Sequence, residues 1–342
     1  MITVQTASRL HFGLLSFPSG PNWPNHLGEV TMPARRFGGV GLMVQSPGIT
    51  LRIRPAKSWS AQGPLAERAL HFAEHFVFCM GIADHNISYT LRKLMSPPQE
   101  IMVERCAPEH AGLGTGTQLG LAVARGLSEA WKLPTEAVDL CLRVCRGGRS
   151  ALGFHGSYQG GFLVEAGQTI HSRISPLVAR LSFPQAWRMV LVIPAWGAGL
   201  HGFEESDAFR QLLTDGIPLQ QIEHLCRLVL LGLLPALVEV DFKSFGEALF
   251  DFNSLAGQAF AKFQGGTYAS ARITELIQFI RSQGISGAGQ SSWGPTVFAV
   301  AEDEFRANDL AGKIRQTFSL QENEVLVTRA CNDGAKVSVI GQ

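Results

Sequence analysis

Residues 2–7 alternate between apolar and polar side chains as a strand does, and the alternation continues through Ser8-Arg9-Leu10-His11-Phe12-Gly13-Leu14-Leu15. That register puts Arg9 and His11 on one face, and Gly13 beside them suggests close backbone approach. The segment Pro18 to Pro33, with Asn22, Trp23, Pro24, Asn25 and Gly28, reads as a loop that lines a site or lies on the surface. Arg35-Arg36 then lead into the glycine-containing strand Phe37 to Val44, and a second alternating run follows from Ile49 to Arg54. Leu65, Ala69, Phe72 and Phe76 recur at helical spacing over residues 64–81, and Ile101 to Cys106 reads as a short strand.

The next stretch, Pro108-Glu109-His110-Ala111-Gly112-Leu113-Gly114-Thr115-Gly116-Thr117-Gln118, places three glycines among hydroxyl side chains directly before a run in which Leu119, Ala122, Val123, Leu127, Ala130 and Trp131 keep helical spacing. A strand, a glycine-rich turn and a helix start make a natural anion cradle, because backbone amides approach closely where no Cβ intrudes and the helix N-terminus favours negative charge. The same pattern also suits a tight turn that merely opens a packed helix. The Walker lysine is missing, and Thr117 stands where a dinucleotide fingerprint needs glycine.

Residues 135–146 form a further helix that ends at Gly147-Gly148. Arg149-Ser150-Ala151-Leu152-Gly153-Phe154-His155-Gly156 is a second polar, glycine-rich patch before a strand at Gly160 to Val164. The texture changes near Ser182, so a boundary near 183 divides the chain into 1–183 and 184–342. Beyond it come a strand Met189 to Ile193, a loop Pro194 to Gly202 containing Trp196, and helices from Phe203 to about residue 281. The longest apolar run, Leu228 to Val238, is too short to cross a bilayer, contains Pro235, and reads as a buried helix or helix pair. Gly284 to Phe298, dense in glycine and serine and carrying Gln290 and Trp293, passes straight into a strand. It fits a second ligand cradle or a bulged turn.

Composition narrows the classes. A chain of 342 residues with 46% hydrophobic and 17% charged residues can hold two domains of ordinary size, each with its own core. A formal net charge of +1 gives no global case for nucleic acid, so an anion site must be local. Six cysteines include no Cys-x-x-Cys pair, and Cys141 with Cys145 read as one face of a helix. Free thiols and an N-terminus without a signal pattern suggest a cytoplasmic protein with no membrane partner. His71 and His75 have metal-ligand spacing but no third ligand, and read as helix-face histidines.

The Ser8 to Leu15 strand, the Pro108 to Gln118 loop and the Gly284 to Val297 loop resemble, in order and spacing, the three motifs of the galactokinase, homoserine kinase, mevalonate kinase and phosphomevalonate kinase (GHMP) superfamily. The resemblance implies an α+β, two-domain fold with the active site in the cleft between domains. Many of those kinases carry an aspartate base in a Ser-Gly-x-Asp patch; the matching run here is Ser150-Ala151-Leu152-Gly153, with glycine in the base position. The Arg9 to Leu14 strand, Arg149-Ser150 and Gly287-Ala288-Gly289-Gln290-Ser291-Ser292-Trp293-Gly294-Pro295 are more similar to a non-kinase branch, the β-ribofuranosylaminobenzene 5′-phosphate synthases of tetrahydromethanopterin biosynthesis.

That resemblance implies transfer of a phosphoribosyl group from phosphoribosyl pyrophosphate to para-aminobenzoate or a related benzoate, with release of carbon dioxide and pyrophosphate. It implies catalytic roles for Arg9, His11, Arg149 and Ser150. It implies substrate and phosphate contacts from Ser8, Gly112, Leu113, Gly114, Thr115, Gly116, Thr117, Gly287, Gly289, Gln290, Ser291, Ser292 and Trp293, with Trp293 or Phe37 as an aromatic wall. Mg²⁺ is expected with the pyrophosphate. Glu204, Glu205 and Asp207 are its candidate ligands, or else acids complementing a helix dipole. A homodimer is open. An ATP-dependent kinase and a non-catalytic binding relative are the competing readings.

Overall fold

Strand β1 (Ile2–Leu14) is the axis of the first sheet, and its alternation of buried and half-buried residues follows the apolar alternation of the sequence. The computed structural model describes residues 1–15, 26–27, 30–31, 35–80, 96–133, 136–169, 171–196, 207–212 and 216–339. In chain order follow the short hairpin β2 (His26–Leu27) and β3 (Val30–Thr31), then β4 (Gly39–Pro55), β5 (Ser60–Gln62), α1 (Ala66–Met80) and β6 (Gln99–Arg105). Next come α2 (Thr115–Ala130), α3 (Ala137–Arg143), α4 (Leu152–Gln159), β7 (Phe162–Glu165) and β8 (Leu177–Leu181). Most of the Pro18 to Pro33 loop lies outside the described residues.

The two alternating runs after Arg36 are one 17-residue strand, β4, which pairs antiparallel with β1 along almost its whole length. Shifts of register between Thr6 and Ser8 and between His11 and Gly13 bend β1 locally, as bulges do. Among the described residues the first sheet has seven strands. Its order is β13-β1-β4-β6-β5, with β7 on β4 and β8 on β7, and the outermost strand β13 (Lys336–Val339) returns from the far end of the chain.

Between β8 and β9 (Arg188–Val192) the chain passes to a second, four-stranded sheet of order β10-β11-β9-β12, built from β10 (Ala288–Gln290), β11 (Val297–Ala301) and β12 (Val325–Thr328). Its helices are α5 (Leu219–Leu228), α6 (Leu234–Glu239), α7 (Phe242–Gln258), α8 (Ala261–Gln264), α9 (Ala271–Ser282) and α10 (Glu304–Phe318), and residues 207–212 are also helical. Side-chain acceptors start three of them. Asp241, Ser270 and Asp303 accept from the backbone N–H groups of Ser244, Ile273 and Arg306, each satisfying one orphan donor of a first turn.

Each face of the first sheet has its own core. On one, Val4, Leu51, Ile53 and Ile101 meet Phe72 and Phe76 of α1 and Leu119, Val123 and Leu127 of α2. On the other, Leu10, Phe12, Val40 and Leu42 meet Leu225, Phe245, Leu249, Phe252 and Phe298 from the second half of the chain. Burying the Phe245, Leu249 and Phe252 side chains of α7 contributes about 1.5–3 kcal/mol each. Helix α7 therefore clamps the second half onto β1, beside Arg9 and His11.

Two local expectations need correction. The apolar run at 228–238 is not wholly buried: α5 and α6 are joined by a π-helical turn, Val229–Leu233, into one helix whose buried stripe is Leu225, Val229, Leu233, Ala236 and Leu237. Leu230, Leu231 and Val238 are more than 60% exposed. Pro235 follows directly on the π turn, where the widened helical backbone coincides with the residue that has no N–H to donate. Leu219–Glu239 is thus long and apolar enough to cross a membrane by length and composition, although its buried stripe is that of a core helix. Helix α3 also stops at Arg143, so Cys145 is not on its face; it lies beyond the end with φ 52° and is exposed.

Candidate active site

A single hydroxyl ties the three motif segments together. Ser291 Oγ accepts the backbone N–H of His11 at 3.0 Å and donates to the Gly112 carbonyl at 2.7 Å. The Ser292 N–H donates to the His11 carbonyl and the Arg9 N–H to the Leu113 carbonyl, so strand, loop and turn share hydrogen bonds. Gly112 has to be glycine: with φ +84°, a Cβ would stand 2.1 Å from the Ser291 carbonyl oxygen. Asn253 of α7 completes the joint, donating to the carbonyls of Phe12 and Gln290 and accepting from the Gln290 N–H.

The loop delivers the first turn of α2 without a cap. Gly114 occupies the N-cap position in the left-handed region, φ 69°, and no side chain accepts from the turn that follows. The N–H groups at the start of a helix have no carbonyl behind them and carry the positive end of its dipole. Guanidinium groups surround this turn. A Cβ on Gly114 would lie 3.3 Å from Arg9 Nε, and one on Gly116 would lie 2.5 Å from Arg68 Nη2 and 3.3 Å from Arg146 Nη2.

In front of the turn is a cavity of about 340 Å³ lined from both halves of the chain. Its polar wall comprises Arg9, His11, Thr117, Arg146, Gly147, Gly148, Arg149, Ser150, Asn253, Gln290 and Ser292. Its other wall is aromatic. Phe209 and Phe260 meet Trp293 edge-on with centroids at 5.6 and 4.5 Å, Phe37 meets Phe209 at 5.6 Å, and the Arg149 guanidinium lies 4.8 Å over the Phe209 ring. A flat π face therefore adjoins a cationic cradle, suiting a ligand that is anionic at one end and aromatic at the other.

Burial sets the charge states. His11 is 5% exposed, and desolvation, then the neighbouring Arg9 cation, hold its pKa well below the usual histidine value. It is a neutral hydrogen-bonding group at pH 7 rather than a charge partner, and its Nδ1 is buried without a hydrogen-bond partner. Glu165 at the end of β7 is fully buried and accepts from Ser150 Oγ at 2.5 Å and from the Ala151 N–H at 2.8 Å. Burial pushes its carboxyl up to about 7, against the opposing pull of those hydrogen bonds and of Arg9.

Among the proposed site residues, Arg9, His11, Thr117, Arg149, Ser150, Gln290, Ser292, Trp293 and Phe37 line the cavity. Others serve as scaffold. Ser8 is buried and donates to the Pro47 carbonyl, Leu113 is in the core, and Thr115 donates to the Pro108 carbonyl at 2.8 Å. Ser291 is fully buried in its tie. Gly287 and Gly289 pack on α7, where a Cβ would lie 3.0 Å from the Gly246 Cα and 2.1 Å from Asn253 Oδ1, so the third motif's glycines admit a helix rather than a ligand. Gln290, though on the wall, spends its amide on the Ala269 N–H and the Ser292 carbonyl.

Gly153 lies on α4, where a Cβ would be 3.1 Å from Thr117 Cγ2, and its carbonyl accepts from Gln118 Nε2 at 2.7 Å. A side chain at 153 would need Thr117 to give by a few tenths of an ångström, so the position is tightly packed. His155 faces away and pairs with the Ser175 carbonyl at 2.8 Å. Glu204 and Glu205 lie outside the described residues; Asp207 is paired with Arg210 and Gln211. No carboxylate is among the described residues that line the cavity, so their donor set does not fit a Mg²⁺ ion held by the protein.

Sequence reasoning missed Arg146, Glu165, Phe209, Asn253 and Phe260. Arg146 had a signal, since it opens the same Arg-Gly-Gly-Arg run as Arg149. Phe209 and Asn253 sit in helices, Glu165 in a strand and Phe260 in the turn between α7 and α8, with nothing local to mark them.

Two family models match: GHMP kinases N terminal domain over residues 80–161, and GHMP kinases C terminal over residues 233–320. The chain belongs to the GHMP kinase superfamily, and solved structures agree on the fold. Homoserine kinase from Cytophaga hutchinsonii matches with a TM-score of 0.67 at 18% identity, covering 98% of this chain and 97% of that one. Mevalonate diphosphate decarboxylase from Staphylococcus aureus matches with a TM-score of 0.63 at 13% identity, covering 99% of each. In sequence the chain is similar to proteins named beta-ribofuranosylphenol 5'-phosphate synthase. The Archaeoglobus fulgidus protein is 29% identical, over 99% of this chain and 100% of its own length. The Methanothermobacter thermautotrophicus protein is 27% identical over 98% of both.

Proposed function

We propose that the protein is a decarboxylating phosphoribosyltransferase, joining the ribosyl group of phosphoribosyl pyrophosphate to the ring carbon of a para-substituted benzoate. Our first choice of acceptor is para-aminobenzoate, in tetrahydromethanopterin biosynthesis. The names of the similar synthases specify a phenol product and make 4-hydroxybenzoate the other arm of the test. The reading rests on one observation: a single cavity joins an uncapped helix N-terminus flanked by arginines to a wall of Phe37, Phe209, Phe260 and Trp293.

Pyrophosphate binds at the first turn of α2, where Arg9 and Arg149 neutralise charge as the bond to the ribose C1 breaks. The ring lies against the aromatic wall, which excludes water from the oxocarbenium-like carbon. The ring carbon bearing the carboxylate forms the new C–C bond. The C–CO₂ bond then breaks and returns its electron pair to the ring, so no hydroxyl has to be deprotonated. The packed glycine at 153 is consistent with that chemistry and disfavours the kinase reading.

Carboxyl-labelled acceptor tests the reaction. Labelled carbon dioxide and pyrophosphate should appear in equal amounts. Pyrophosphate released with the label kept in the product would mean attack through another atom and would sink the proposal.

A further inference from the structure

We infer that Arg146, backed by Arg68, forms a second anion subsite on the outer side of the glycine loop, at Gly116, and that it takes the distal phosphoryl of a pyrophosphate whose proximal phosphoryl sits at Arg9 and Gly114. The inference rests on the phosphoribosyl-transfer reading only for what carries the pyrophosphate.

Arg146 carries an uncompensated charge. Among the described residues no carboxylate pairs with it, and its buried Nε has no hydrogen-bond partner. Desolvation first, and then the like charges of Arg68 and Arg149, depress its pKa. Its guanidinium is nevertheless held in place, 5.2 Å from the Phe72 ring centroid and beside Gly116. Arg68, which pairs with Glu109, approaches Gly116 from α1. A half-buried guanidinium in like-charged company opposes folding unless something neutralises it. The open first turn of α2 puts backbone donors at the same spot, and the buried, unpartnered His11 Nδ1 belongs to a residue lining the same cavity. Gly114, the N-cap, and Gly116 are two residues apart at the start of α2, close enough for the two phosphoryl groups of one pyrophosphate to engage both clusters.

Calorimetric titration of the full chain with inorganic pyrophosphate and with ribose 5-phosphate separates the subsites. Arg146→Met should weaken pyrophosphate at least tenfold while changing ribose 5-phosphate less than threefold, Arg146→Lys should recover part of the loss, and Arg68→Met should fall between. Because the charge is uncompensated, Arg146→Met should melt no lower than the parent, whereas an arginine of purely structural value would lower the melting temperature. Unchanged pyrophosphate affinity, or equal loss for both ligands, overturns the subsite. Pyrophosphate binding that depends on Arg146 in a protein without phosphoribosyl transfer leaves the subsite standing and removes the function. Transfer activity with Arg146-independent pyrophosphate binding does the reverse.

Discussion

Replacing Glu165 by glutamine should change how stability depends on pH, in a direction the structure dictates. The Glu165 carboxyl is raised from an ordinary 4.5 to about 7 by burial. In the unfolded chain it ionises at the ordinary value. Below that value both states are protonated and the folded form incurs no penalty. As pH rises towards 7 the unfolded state ionises while the folded state resists, and stability is lost until the folded group ionises too. A gap of about 2.5 pK units is worth about 3 kcal/mol, of which about 2.5 kcal/mol develops between pH 5 and 8. Glutamine does not titrate, so Glu165→Gln should gain that amount on the parent across the same interval. At pH 5, where the folded carboxyl is still protonated, glutamine replaces one neutral group with a single acceptor oxygen by another, so the two proteins should be about equally stable. Urea denaturation of both proteins at pH 5, 6, 7 and 8 measures the difference. A stability difference that stays flat from pH 5 to 8 would refute the raised carboxyl and, with it, the reading of Glu165 as the buried anchor of Ser150.

Arg149→Ala should reduce turnover by about 10²–10³, the scale of a lost electrostatic contact to developing charge, without lowering the melting temperature; a loss below tenfold in steady-state assays would take Arg149 out of the reaction. Phe209→Ala should raise KM for the aromatic acceptor far more than KM for phosphoribosyl pyrophosphate, and a reversed split would move the acceptor off the aromatic wall. Gly112→Ala should destabilise by about 3 kcal/mol or prevent folding, since its Cβ would stand 2.1 Å from the Ser291 carbonyl oxygen; a normal melting temperature would contradict the packed joint between loop and turn. Purified protein given ATP should not phosphorylate galactose, mevalonate, homoserine or para-aminobenzoate, and sustained phosphorylation of any of them would reinstate the kinase reading.

Local patterning carried much of the fold and part of the site. Alternation alone places Arg9 and His11 on one face of β1, and helical spacing after Gly116 locates α2, because side-chain periods of 2.0 and 3.6 are properties of the backbone and survive without tertiary context. The glycine-rich loop was legible for the same reason: a chain that must pass through φ +84° and +69° within three residues advertises it by composition. Periodicity says which residues share a face but not what the face meets. The glycines of the third motif look like those of the second, yet Gly287 and Gly289 receive helix α7 while Gly116 opens onto guanidinium groups. Ser291 and Ser292 are adjacent, and only the first spends its side-chain hydroxyl on tying β1 to the loop, while the second lines the cavity. The charge states of His11, Arg146 and Glu165 depend on desolvation and on neighbours that include residues distant in sequence, so no local pattern contains them. The aromatic wall likewise joins Phe37, Phe209, Phe260 and Trp293, four residues spread over most of the chain, and it exists only because α7 packs against β1 and draws the two halves around one cavity.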